Sequence, residues 1–109
     1  MANTFKLKTK ANVGVSTVGI YTVPAATATV VIGITLANTS GSGVNVGIGI
    51  TRASAEDVKL LKNAPIPSGS SLEFMAGNKV VLETTGDTLT VDSDTNSSID
   101  AALTIMEIT

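Results

Sequence analysis

Along most of this chain, large apolar residues alternate with small or polar ones at a period of two, the spacing of strands that bury one face. In Ala28–Leu36 the even positions are Ala28, Val30, Ile32, Ile34 and Leu36, and the odd positions Thr29, Val31, Gly33 and Thr35. After TSGSG the alternation resumes, with Val44, Val46, Ile48 and Ile50 set against Asn45, Gly47, Gly49 and Thr51. Two such runs joined by five turn-forming residues predict a long β-hairpin whose aliphatic face belongs to the core.

Shorter runs follow the same rule. Thr4–Lys10 predicts a strand with Phe5 and Leu7 inward and its lysines outward, and Ser16–Val23 a strand stopped by Pro24. Leu72–Phe74 and Lys79–Glu83 read as strands about a turn at Ala76–Asn78, and Leu89–Val91 and Ile99–Ile108 complete the set. Ser54–Asn63 reads two ways: as a short helix with Ser54 as N-cap and Asp57 at its third position, or as a further strand. Pro65 and Pro67 end it in either case. The expected fold is all-β, an antiparallel β-sandwich or jelly-roll-like arrangement of about eight short strands with at most one short helical turn. Residues 1–109 are expected to form a single domain, with 1–12 as an N-terminal strand or arm.

Charge sharpens the picture. From Ala11 to Thr51, 41 residues pass without an Asp, Glu, Lys or Arg. Thr, Ser and Asn interrupt this stretch too often for a membrane helix, which needs about 20 apolar residues. Phe5, Tyr21 and Phe74 are too few for the aromatic girdles of a membrane barrel, so no membrane is expected. The start MANTFKLKTK contains no apolar run, and no signal peptide is expected. The net charge of −2 gives no footprint for nucleic acid. Lys6, Lys8 and Lys10 open the chain, whereas beyond Lys79 every charge is acidic: Glu83, Asp87, Asp92, Asp94, Asp100 and Glu107. These are either solvated strand ends or a basic edge that meets an acidic edge on a neighbour.

The outer face of the expected hairpin would carry Thr29, Val31, Gly33 and Thr35 beside Asn45, Gly47, Gly49 and Thr51, uncharged and no larger than Val. Glycine inside a strand weakens it unless something approaches closely. The close neighbour could be another subunit, a segment of the same chain near Ser54–Ser70, or only solvent. On the first reading these residues form an interface, together with Lys6, Lys8 and Lys10 on the N-terminal strand. Gly47→Lys would then spare the isolated fold while blocking association.

Catalytic chemistry is scarce. Histidine and cysteine are absent, which removes the usual general base, thiolate nucleophile and metal ligands. Glu56 and Asp57 are adjacent, so in a strand they point to opposite faces. No phosphate-binding glycine motif occurs, and neither enzymatic activity nor a cofactor is expected. Asp92, Asp94 and Asn96 open like a calcium loop, but Ser97 stands where Gly is needed and Leu103 where a bidentate Glu is needed, leaving only a weak metal site.

IYTVPAATATVVIGITLANT (Ile20–Thr39), APIPSGSSLEF (Ala64–Phe74), KVVLETTGDTLTV (Lys79–Val91) and the closing EIT together resemble small structural proteins of tailed bacteriophage virions. The resemblance implies a non-enzymatic β-sandwich that assembles in many copies on a phage particle, made in the host cytoplasm and residing in the virion. A capsid cement (decoration) protein that stabilises the shell is the foremost expectation. A neck or tail component is the alternative, and a carbohydrate-binding module a weaker one, since only Tyr21 could stack on a sugar. The expected partners are further copies, as a dimer or trimer, and a phage coat or other virion protein.

Overall fold

In the computed structural model, which describes residues 2–74 and 80–109, the alternating runs become strands. They are β1 (Asn3–Val13), β2 (Val18–Thr22), β3 (Ala28–Asn38), β4 (Val44–Thr51), β5 (Val58–Ile66), β6 (Ser71–Phe74), β7 (Val80–Leu82), β8 (Thr88–Ser93) and β9 (Ile99–Ile108). The described residues contain no helix. Ser54–Asn63 resolves into a loop followed by the start of β5, so the strand alternative holds. The turn expected at Ala76–Asn78 lies outside the described residues.

Two antiparallel sheets face each other. The front sheet runs β1-β9-β3-β6, with β7 also paired to β3, and the back sheet runs β2-β8-β4-β5. Ile34, Leu36, Leu103 and Ile105 from the front meet Val46, Ile48, Leu89 and Val91 from the back, all essentially inaccessible to water. Burial of these side chains drives the sheets together, each contributing about 1.5–3 kcal/mol.

The expected hairpin does not form. β3 pairs with β9, β6 and β7, whereas β4 pairs with β5 and β8 in the other sheet. Asn38 explains the arch between them. Its buried side-chain amide donates to the carbonyls of Ser42 and Ile66, both at 2.9 Å, and its oxygen accepts from the Ser40 amide and hydroxyl. One side chain thus holds the connection and ties it to the back sheet.

Parity within β3 also differs from the expected pattern. The register with β9 shifts between Val31 and Gly33, so Ile32 is an extra residue in a bulge. Thr29 and Val31 face inward before it, and Ile34, Leu36 and Asn38 after it. Only the second half follows the even-position rule.

In β1 the faces are reversed. Phe5 and Leu7 stand 69% and 65% exposed, while Lys6 turns inward beside buried Ile105 and Glu107. β1 lies at the sheet edge, where neither face is fully covered. Hydrophobicity alone therefore does not set its parity. Pro65 does not stop β5 but sits within it, opposite Asn45; β5 is an edge strand, where a missing amide donor is tolerated.

Before β3, Ala26 sits in the left-handed region at φ 54°. Ala26→Gly relieves that geometry and is expected to add about 0.5–1 kcal/mol, read as a melting temperature a few degrees higher.

Candidate assembly surfaces

The back sheet's outer face carries the glycines singled out in the sequence, and the chain itself covers them. Gly47 pairs with Asp92, and Gly49 with Thr90 and Lys59. A Cβ added at Gly47 would come within 2.7 Å of the Asp92 carboxylate and 3.3 Å of the Leu61 carbonyl. At Gly49 it would meet the Val58 carbonyl at 3.0 Å and the Thr90 hydroxyl at 3.2 Å. Above this glycine floor the Asp92 carboxylate takes a hydrogen bond from the Thr17 hydroxyl at 3.0 Å and pairs with Lys59 at 3.5 Å. Close approach is therefore the reason for glycine, but the approaching groups are intramolecular. Gly47 and Gly49 are buried, while Asn45 and Thr51 flank them at exposed positions.

Thr29 and Val31 are not on an outer face at all. Both have no accessible surface. The Thr29 hydroxyl lies 2.7 Å from that of Tyr21, which donates to Glu107 at 2.6 Å; Lys6 closes the chain of contacts by pairing with Glu107 at 2.8 Å. The hydrogen bond from Lys6, then that from Tyr21, holds the Glu107 carboxyl below the usual carboxylate range against the opposing effect of burial. Burial, reinforced by the bond to Glu107, pushes the Tyr21 hydroxyl up to about 12. Lys6 is thus a partner of the core's polar end. Lys8 is half-buried and Lys10 exposed on the same face of β1.

Gly33 and Thr35 do lie outward, on the front sheet. Residues opposite each other in antiparallel strands share a face, so the registers define rows. Phe5, Met106, Val30 and Val81 form one row across four strands. Leu7, Thr104 and Gly33 form the next; Thr9, Ala102, Thr35 and Glu73 follow, and then Asp100, Ala37 and Ser71. One end is therefore large and apolar, with Val81 60% exposed at one edge of the row and the still more open Phe5 at the other. The other end is small. There two adjoining grooves, of about 280 and 340 Å³, share Thr35 and Ala102 in their walls.

Two solved structures share this fold, and a third gives a lower score. A chain of the T13 IBDV viral particle superposes with a TM-score of 0.60 at 11% identity, over 96% of this chain and 30% of the other. A chain of the Bacillus endospore appendages, disulfide-linked pili, gives 0.59 at 14% identity over 99% and 87%. A pentameric capsid protein isolated from metagenomic phage sequences gives 0.44 at 17% identity over 94% and 59%. The protein is an antiparallel β-sandwich. It spans less than a third of the IBDV chain. No protein-family model matches it, and no curated protein sequence matches it significantly.

The calcium-like loop is occupied by the protein's own donors. Asp94 accepts from the Asn45 amide at 3.1 Å, and Asp92 is engaged by Thr17 and Lys59. The hydroxyls of Ser93 and Ser98 lie 2.6 Å apart and bond the Thr95 carbonyl, which closes the turn without Asn96. Among the described residues no three acidic groups converge as metal ligands. Chelator and added calcium are each expected to leave the melting temperature unchanged, as checked by differential scanning fluorimetry.

Neither the Tyr21–Glu107 hydrogen bond nor the Phe5–Met106–Val30–Val81 row was foreseen from the sequence. Phe5 and Leu7 carried a signal, being the only large apolar residues on a strand rich in lysine. Their face became readable only with the β9 register.

Proposed function

We propose that this protein is a non-enzymatic structural unit of a virus particle, acting as a capsid cement or decoration protein. The observation that carries this reading is the interleaved strand order. Each sheet interleaves strands from both ends of the chain to give β1-β9-β3-β6 over β2-β8-β4-β5, with β4 and β5 consecutive in the back sheet and β6 and β7 consecutive in the front. We read this as the two-Greek-key order of a jelly roll, an architecture used by viral capsid and lectin domains. The fold likeness to a chain of the IBDV particle supports the same direction, as does the phage-virion resemblance of the sequence. The lectin branch lacks support: Tyr21 is buried, and Phe5 stands in a row of aliphatic neighbours rather than opposite a second aromatic.

A cement protein stabilises a shell by binding the assembled lattice in preference to free coat subunits. Apolar burial and main-chain pairing at exposed edges supply the contact chemistry. With no cysteine in the sequence, no disulfide of this chain links the contacts. Lys8 and Lys10, on the open edge strand β1, are the residues proposed to face an acidic coat surface, with Gly33 and Thr35 beneath a neighbouring copy.

Immunogold microscopy of gradient-purified particles from the host carrying this gene tests the reading. Uniform label over the shell is the expected result. Label confined to one vertex would favour a neck or tail position, and unlabelled particles would overturn the proposal.

A further inference from the structure

We infer that the outer face of the front sheet is a self-complementary docking surface for a second copy of this chain, packed with its strands reversed. The inference deepens the assembly reading and rests on it.

The face is graded. Phe5, Met106, Val30 and Val81 project at one end, while Ala102, Thr35 and Gly33 leave grooves toward the other. A two-fold axis lying across the strands, along the Leu7–Thr104–Gly33 row, inverts the row order. It sets Met106 and Val30 of one copy over Ala102 and Thr35 of the other, and the reverse contact forms by symmetry. Large side chains then enter grooves that none of the described residues fills, as interdigitation between packed sheet faces requires.

The area suffices. β1, β3 and β9 have 11, 11 and 10 residues. β6 and β7 add 4 and 3 residues in the fourth lane. At about 3.3 Å per residue and about 4.8 Å between strands, each face is roughly 600 Å². Two such faces bury on the order of 1,200 Å², the area at which stable interfaces begin.

Charge points the same way. The Phe5 and Leu7 rows carry no charged residue, whereas Glu73 ends the Thr9–Ala102–Thr35 row at the sheet edge and Asp100 lies in the row beyond. The back sheet has no equivalent surface, because Lys59 and Asp92 cross it.

Sedimentation equilibrium on the full chain tests the inference. Wild type is expected to sediment as a dimer. Leu7→Glu, at a 65% exposed position that the fold tolerates, is expected to weaken dimerisation about 100-fold or more, because the two-fold repeats the lesion. Ala102→Trp, which fills the groove, is expected to do the same. Thr51→Glu on the back sheet is expected to leave the dimer intact. Circular dichroism melts confirm that each variant is folded. A wild-type monomer up to about 100 µM would overturn the inference, since an interface of this size normally associates far below that concentration. A dimer that survives Leu7→Glu, or that survives Ala102→Trp, would also overturn it. A monomer that still labels particles would end this inference and leave the assembly reading standing. A dimer that labels none would do the opposite.

Discussion

Gly49→Val is expected to lower the melting temperature by roughly 10 °C or more, a loss of about 2–3 kcal/mol, with no neighbouring molecule involved. The new Cβ would stand 3.0 Å from the Val58 carbonyl, which belongs to the backbone of β5 and moves only with the strand. Thr90 and Lys59 close the other sides at 3.2 and 3.4 Å. Gly41→Val is the control, since a Cβ there meets nothing within 4 Å and its cost should stay within about 0.5 kcal/mol. Gly47→Lys follows Gly49 more gently, because the nearest atom is the end of the Asp92 side chain, which can swing away by giving up Lys59. It is expected to destabilise the isolated fold, contrary to what an interface glycine would do. Urea unfolding of dilute protein separates the outcomes.

The second large effect concerns Glu107. Its carboxyl is held below the ordinary carboxylate range by Lys6 and Tyr21. The folded state therefore binds its proton less readily than the unfolded state, so the stabilisation is present at neutral pH and is lost as the pH falls below roughly 4.3. Glu107→Gln should cost about 2 kcal/mol at pH 7 and flatten that acid limb relative to wild type. The cost is kept moderate by Lys6, which is 43% exposed and can be solvated when its partner is removed. The alkaline limb has the opposite sign. Tyr21 keeps its proton up to about 12 when folded, so stability is lost as the pH rises from the ordinary tyrosine value of 10.0 toward that point. Tyr21→Phe should remove this alkaline loss and leave a shallower acid limb, since Lys6 still holds the Glu107 carboxyl down. Urea midpoints of the three proteins between pH 3 and 11 check both limbs.

Strand positions were legible in the sequence because alternation reports one buried face directly, as in Val44–Ile50 of β4, where every predicted inward residue is buried. What alternation does not report is which strand lies alongside. The TSGSG connection reads as a hairpin turn, yet Asn38 uses its side chain to turn the chain into the other sheet. A single bulge at Ile32 then reversed half of β3 and carried Thr29 and Val31 from the expected outer face into the core. In β1, an edge strand, both parities are nearly equally exposed, and the exchange between Lys6 and Glu107 decides the matter rather than hydrophobicity. The two halves of the uncharged segment lie on different sheets: side chains of Asp92, Thr90 and Lys59 crowd the β4 glycines, whereas the outer rows of β3 are open among the described residues.

The open front face is the centre of this account, and methyl NMR on dilution tests it most directly. On lowering the protein from about 500 to 5 µM, shift changes are predicted for Leu7, Val30, Ile32, Val81, Met106 and Ile108, with the methyls of Val58 and Leu61 on the back sheet unchanged. Changes clustered on the back sheet, or no concentration dependence anywhere in a protein of monomer mass, would contradict it.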